Sequence, residues 1–248
     1  MNSYFNVNLE FDHEKIHDQI ESLIMNKNKG YICVVDSNVL TMSQKDLQYR
    51  DILNSSILNT CDGSSIALMA GSIYKKKYRA LNGPEIFTNY VEKEYNQLLL
   101  GSTIEISDKI KGTLESKGIR STHLQAMPLP FLDVNDFDYT SIARQINQIN
   151  PDIIWVSLGA PKQEKFMHKL LPYLDSGVMF GIGAAFNFYT GDLGLPKISI
   201  SGLKFIWLNR LYNEPKKLVK RLANYLIILP KLYFEEAKKH KISNQFKT

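Results

Sequence analysis

The 248-residue sequence predicts an α/β fold: a Rossmann-like, mainly parallel sheet with helices on both faces, followed by a basic helical appendage. Three observations predict it. Ile153-Ile154-Trp155-Val156-Ser157-Leu158-Gly159 is a short apolar run of the kind that fills a buried parallel strand, and Ala160-Pro161-Lys162-Gln163-Glu164 then opens a helix. Proline suits a first helical position, where its missing N–H has no partner to lose. One crossover later a second run, Val178 to Phe186, carries Gly181 and Gly183, which places both glycine-bearing ends on one edge of the sheet. Finally, strand-like and helix-like segments alternate as far as residue 191, the pattern of a sheet wound on both faces.

Taken in order, residues from about Glu14 to Asn26 read as an amphipathic helix, with Gly30 as its stop and Tyr31-Ile32-Cys33-Val34-Val35 as a buried strand. That strand ends at the polar group Asp36-Ser37-Asn38. A helix is expected around Leu40 to Leu53, then the segment Ser56 to Gly63, then a helix from Ser64 to Ala70. Asn82-Gly83-Pro84-Glu85 is a turn that launches another helix. Gln97-Leu98-Leu99-Leu100-Gly101-Ser102 repeats the sequence of apolar run, glycine, small polar residue. Leu129 to Asp138 reads as a loop, and Tyr139 to Asn150 as the helix that leads into the strand at Ile153. After Gly194 the pattern changes, and Leu203 to Ile228 has no clear strand signal. Pro215 splits the segment Leu203 to Ile228, after which Lys217, Lys220, Arg221 and Asn224 share one helical face and Leu218, Leu222, Tyr225, Leu226 and Leu229 another. The chain therefore divides into a body over residues 1–194 and a basic amphipathic helical appendage over residues 195–248.

Composition narrows the function classes. With 44% hydrophobic residues the chain can bury a substantial core, so disorder is excluded. Cys33 and Cys61 show no ligand spacing and are expected as buried, reduced thiols, which favours the cytosol. The first twelve residues lack a signal-peptide pattern and no stretch of 18 apolar residues occurs, so membrane contact is expected to be peripheral. Net charge is +5, but residues 195–248 hold 12 Lys/Arg and 3 Asp/Glu, a local balance of +9, which leaves −4 for the rest. An anionic partner is implied for the tail alone.

The carboxyl edge of a parallel sheet is where α/β proteins bind ligands, and open N–H groups at a helix start suit phosphate. A diphosphate is thus the first ligand to consider. Gly181-Ile182-Gly183 is not a dinucleotide fingerprint, since no third glycine or acidic strand end follows, which disfavours NAD. Asp62 is the candidate base, with helix capping or an ordinary D-G turn as the plain alternative.

Asn59-Thr60-Cys61-Asp62-Gly63, Arg79 with Gly83, Leu158 to Glu164 and Gly181 to Phe186 occur in this order, and together they resemble the WecG/TagA/CpsF glycosyltransferases. The resemblance runs from about residue 30 to 230, with Gly159-Ala160-Pro161-Lys162-Gln163-Glu164 its most specific part. It implies an inverting transfer, with no metal or other cofactor, of a sugar such as N-acetylmannosamine from a UDP-sugar to an undecaprenyl-diphosphate-linked saccharide on the cytosolic membrane face, in cell-surface polysaccharide synthesis. It implies Asp62 as the base, and Asn38, Arg79 and Gln163 as holders of the donor's sugar and diphosphate, with Gly83, Gly159, Pro161, Lys162, Glu164, Gly181 and Gly183 around them. It also suggests a homodimer, and links Arg210, Lys217, Lys220 and Arg221 to the membrane or the acceptor's diphosphate. Two departures bear on donor choice: Asp36 stands where the family usually has threonine, and Asn187 where it usually has aspartate. Asp36 is counted with Asp62 among the candidate catalytic residues, and is expected either to raise the pKa of Asp62 or to cap a helix. The competing classes are a non-catalytic nucleotide-binding regulatory module and a nicotinamide-dependent oxidoreductase.

Other polar clusters are given plainer readings. Asp136-Phe137-Asp138 forms a D-x-D, but it precedes a helix, so capping by Asp138 is preferred to metal binding. His13 and His17 lack a third ligand and are placed on a helix surface. For the tail, membrane-surface docking is preferred to a merely solvated face and to nucleic-acid binding.

Overall fold

A computed structural model describes residues 2–192, 199–200, 203–204 and 215–245. Six strands form one parallel sheet: β3 (Lys29–Val35), β4 (Leu58–Cys61), β5 (Gln97–Leu100), β6 (Leu124–Met127), β7 (Ile153–Val156) and β8 (Gly177–Gly181). Their spatial order is β4-β3-β8-β7-β5-β6. The helices are α1 (His13–Met25), α2 (Ser37–Lys45), α3 (Leu47–Asn54), α4 (Ser64–Tyr74), α5 (Gly83–Val91), α6 (Ile104–Ser116), α7 (Tyr139–Ile149), α8 (Lys162–Leu170), α9 (Ala185–Tyr189) and α10 (Pro215–Gln245). The α/β expectation holds.

Alternation along each strand builds a core on either side of the sheet. Tyr31, Cys33, Val35, Leu98, Leu100, Ile154, Val156 and Met179 face α2, α3, α4, α7 and α8. Ile32, Val34, Leu99, Ile153, Trp155, Val178 and Phe180 face α1, α5, α6 and α9. At the centre of the second layer Trp155 packs edge-on against Phe87 at 5.0 Å, and its indole N–H donates to Gln97 Oε1 at 2.7 Å. Gln97 Nε2 in turn donates to Tyr90 O, so a fully buried polar pair is satisfied rather than left as a penalty. Both cysteines are buried free thiols, as expected. Burial holds each thiol well above its ordinary pKa.

Several boundaries differ from expectation for identifiable reasons. Gly30 is not a helix stop: it lies inside β3, where a Cβ would come within 2.4 Å of Ile57 Cδ1, and the left-handed residue that ends α1 is Lys27 at φ 51°. The single helix expected over Leu40 to Leu53 is two, because Asp46 is extended (φ −122°, ψ 102°) and its carboxylate caps Tyr49 N to start α3. Pro161 occupies the N-cap of α8 rather than the first helical position, after a cis Ala160-Pro161 peptide bond. An N-terminal hairpin that alternation did not signal joins β1 (Asn2–Tyr4) to β2 (Val7–Leu9) through Phe5 and Asn6, both at positive φ, the geometry of a type I′ turn. A second antiparallel pair joins β9 (Ser199–Ile200) to β10 (Leu203–Lys204), the latter in the segment where no strand signal was clear. The proposed boundary at residues 194 and 195 falls outside the described residues.

The last helix lies along α2 and α4. Leu232 and Glu236 are its buried contacts, with Tyr74 OH donating to Glu236 Oε1 at 2.6 Å and Tyr233 OH within 3.0 Å of Ser72 Oγ. On the outside Leu226, Ile227 and Phe234 stand 78%, 71% and 70% exposed, the first two adjacent and Phe234 about two turns further on. The apolar face therefore divides: Ile228, Leu229 and Leu232 pack on the body while Leu226 points away, correcting the expectation of a single apolar face that joined Leu226 to Leu229. No described helix is long and apolar enough to cross a membrane.

Candidate active site

Parallel pairing in register brings four strand ends to one rim. Val35 pairs with Cys61, Cys33 with Gly181, and Val156 with Gly181. The chain segments that leave these ends are Asp36-Ser37-Asn38, Asp62-Gly63, Ser157 to Pro161, and Ile182-Gly183-Ala184. Asp62 N–H continues the ladder to Val35 O at 2.8 Å, and Ile182 N–H does the same to Val156 O at 3.2 Å. Only β3 separates the end of β4 from that of β8, so the Asp62 turn and the Gly183 turn lie about two strand spacings, roughly 10 Å, apart.

The acidic side of the rim is built around helix starts. Asp36 Oδ1 accepts Val39 N–H at 2.7 Å, which makes Asp36 the N-cap of α2. The capping alternative considered for it is what the structure contains. Asn38, one residue inside that helix, is half-buried, with Nδ2 4.0 Å from Met42 Sδ. Ser37 Oγ and Ser65 Oγ lie 2.9 Å apart and tie the start of α2 to the start of α4. Asp62 is half-buried, and the N-cap position of α4 belongs not to it but to Gly63, whose φ of 130° an L residue rarely adopts. Leu81 N–H donates to Cys61 O at 2.9 Å, so the Arg79 stretch runs past the end of β4. Arg79 itself is 73% exposed and pairs with Glu85 at 2.9 Å. An exposed pair of this kind contributes at most about 1 kcal/mol, so the guanidinium can be drawn to a stronger anion.

Across β3, the glycine side is tightly cross-braced. Ser157 Oγ donates to Gly183 O at 2.7 Å and Gly183 N–H donates to Gln163 Oε1 at 3.1 Å. A Cβ on Gly181 would lie 2.7 Å from Met167 Cε and 3.2 Å from Gln163 Nε2, so only glycine leaves room for that amide. Gly83, at the start of α5, would bring a Cβ within 3.3 Å of Ile182 O, which places α5 directly against the same turn. Gly159 is exposed at φ 74°. Gln163 and Glu164 are 4% and 0% exposed and lie beneath the turns, while Lys162 reaches sideways, its ammonium bonded to Leu132 O and about equidistant from the Phe131 and Phe137 rings at 5.0 and 5.2 Å. Asn187 is half-buried on α9, three residues past Ala184.

Burial pushes the Glu164 carboxyl up to about 7, and nearby Asp36 adds to the shift, against hydrogen bonds from Gln163 and Tyr49 that favour the ionised form. Tyr49, fully buried on α3, donates to Glu164 Oε2 at 3.0 Å. Neither Tyr49 nor Ser157 was singled out from the sequence. Both sit in segments whose only signal was apolar periodicity.

One electrostatic feature separates the rim from the rest of the fold. Helices α1, α2, α3, α5, α6 and α7 each begin under a side-chain cap: Asp12, Asp36, Asp46, Asn82, Thr103 and Asp138. The starts of α4, α8 and the short α9 have none, and all three open on the rim, beside Asp62, Gly159 and Gly183. The positive ends of their dipoles are there without a protein side chain at the cap. Asp138 caps α7 through Ser141 N, as preferred for the D-x-D segment, and no group of three metal-ligating side chains occurs among the described residues. Arg210, and the side chains of Lys217, Lys220 and Arg221, lie outside the described residues.

A doubly wound parallel sheet whose carboxyl rim carries an acid and open helix starts places the chain in the Rossmann-like class of α/β enzymes. The chain belongs to the WecG/TagA/CpsF family of glycosyl transferases, whose family model matches residues 3–242. It is 27% identical over 227 residues to N-acetylglucosaminyldiphosphoundecaprenol N-acetyl-beta-D-mannosaminyltransferase of Bacillus subtilis (strain 168), covering 90% of this chain and 87% of that protein. Proteins of the same name from Bacillus spizizenii and Staphylococcus aureus (strain MRSA252) are 21% and 20% identical, covering 82% and 90% of this chain and 79% and 89% of theirs. The match includes the N-terminal hairpin, which the sequence motifs alone did not reach.

Proposed function

We propose that this enzyme moves a sugar, N-acetylmannosamine or a related hexose, from a UDP-sugar to a hydroxyl of an undecaprenyl-diphosphate-linked saccharide, with inversion and without a metal. The observation that carries the reading is the conjunction on one rim of Asp62 with the uncapped starts of α4 and α8. Names of the similar bacterial proteins supply the acceptor and the sugar class.

In this mechanism the acceptor oxygen attacks the anomeric carbon as the bond from that carbon to UDP breaks on the opposite face. The hydroxyl proton passes to the Asp62 carboxylate, which must be ionised and within hydrogen-bond reach of that oxygen. Negative charge grows on the departing diphosphate, where the backbone N–H groups of Gly159, Ala160 and Lys162 and the Arg79 guanidinium stabilise it. Gly183 contributes shape rather than a donor, since its N–H is already held by Gln163. Asn38 and Asn187, half-buried on either side, contact the sugar.

Residues 195–248 form the docking unit in this reading. The outer stripe Leu226, Ile227 and Phe234 enters the bilayer interface while the surrounding lysines meet anionic headgroups, which holds the rim at the cytosolic face where the lipid-linked acceptor lies.

A thermal-shift panel with UDP, NAD and ATP tests the ligand class. UDP at 100 times its Kd stabilises by about 2.7 kcal/mol, which for a chain of this size raises Tm by about 5–10 °C. NAD and ATP are expected to leave it unchanged, and stabilisation by NAD in place of UDP would reject the reading in favour of an oxidoreductase.

A further inference from the structure

Glu164 is a buried carboxyl with no cationic partner among the described ion pairs, an arrangement that protein interiors avoid unless hydrogen bonds require it. Each of its oxygens accepts one bond. Oε1 accepts Gln163 Nε2–H at 2.8 Å and Oε2 accepts Tyr49 O–H at 3.0 Å. The consequence falls on Gln163. Its amide has one donor end and one acceptor end of nearly the same shape, and either could face Gly183. When ionised, the Glu164 carboxylate only accepts, so the NH2 end turns to it, which leaves Oε1 facing Gly183 N–H at 3.1 Å. Were the amide reversed, two donors would meet at Gly183 and two acceptors at Glu164.

We infer that Glu164, supported by Tyr49, is a positioning residue that selects the orientation of the Gln163 amide and so holds the Gly183 turn in the shape that receives the donor. The chain of bonds runs from α3 through α8 to the turn after β8, and Ser157 Oγ on Gly183 O clamps the same residue from its other side. The inference rests on the proposed nucleotide-sugar site for its functional part, but the tie itself is a property of the free protein.

The test uses the full chain with Glu164→Gln, Glu164→Leu, Tyr49→Phe and Gln163→Leu. Hydrogen exchange of the peptide spanning residues 181–187 is followed without ligand, and the Kd for UDP and the donor KM are measured in parallel. Glutamine at 164 can still present a carbonyl to Gln163, whereas leucine leaves a buried donor unpaired, a loss of roughly tenfold or more in an equilibrium. Glu164→Leu and Gln163→Leu are therefore expected to speed exchange at the turn and to raise UDP Kd and donor KM by about tenfold, with Glu164→Gln within about threefold of the parent and Tyr49→Phe between them. Unchanged exchange in a folded Glu164→Leu protein would overturn the tie, as would Glu164→Gln behaving like Glu164→Leu. If Glu164→Leu does not fold, Gln163→Leu decides by the same exchange readout. Faster exchange with unaltered UDP affinity would overturn the link to the donor. Should the parent bind no UDP while exchange responds as expected, the nucleotide reading fails and the tie stands.

Discussion

Asp62→Asn is expected to lower kcat by 10²- to 10⁴-fold, about 3–5 kcal/mol in activation free energy, while the Kd for UDP stays within about threefold. The asparagine side chain fills the same space and keeps one carbonyl acceptor, so the turn at Gly63 and the start of α4 need not move. What it removes is the site that takes the acceptor's proton. Asp36→Asn is the matched control on the neighbouring strand. Asparagine caps a helix as well as aspartate does, so the bond to Val39 N survives, and turnover is expected to fall less than tenfold. A variant Asp62→Asn that turns over within tenfold of the parent would remove the base assignment. A large loss from Asp36→Asn with a small one from Asp62→Asn would transfer the role to Asp36.

The second large effect concerns the bilayer. Leu226→Glu with Ile227→Glu replaces two side chains that already stand 78% and 71% in solvent, so the folded body should tolerate the change. Each such side chain contributes about 1–2 kcal/mol when it enters an apolar phase, so together they account for about 2–4 kcal/mol, or roughly 30- to 700-fold in binding to anionic vesicles. Added negative charge near the headgroups increases the loss, and raised salt should weaken what binding remains. Truncation before Pro215 is expected to lose binding altogether. Vesicle sedimentation at fixed lipid concentration measures both, and unchanged sedimentation of either variant would reject the docking helix.

Most of the sheet was legible because parallel strands buried on both faces read as short apolar runs: Tyr31 to Val35, Gln97 to Leu100, Ile153 to Val156 and Val178 to Gly181 all became strands. The errors fall where a single residue does two jobs. Gly30 looked like a helix stop but is small to admit Ile57, a contact that only the sheet creates. Asp46 lies within what reads as one helix, yet its extended backbone ends the first helix and its side chain caps the next. Phe5 at φ 54° hides the hairpin, since a buried aromatic in a left-handed turn is held by tertiary packing and not by local preference. At the site, the rim was predictable from chain order, since acids and glycines follow strands that must share an edge. The bracing beneath it was not. The Tyr49 bond to Glu164 spans 115 residues, and no local pattern announces it. Motif likeness drew Gln163 and Glu164 forward as donor-binding residues, and in the fold both are buried beneath the turns, where Gln163 holds the Gly183 N–H.

The measurement that bears most directly on the central claim is the structure of the enzyme with UDP bound. The account predicts the diphosphate at the carboxyl rim, against the amides of Gly159, Ala160 and Lys162 and within reach of Arg79, with the Asp62 carboxylate facing the space next to the terminal phosphate. UDP bound away from the ends of β3, β4, β7 and β8, or with its phosphates on the far side of the rim from Asp62, would contradict it.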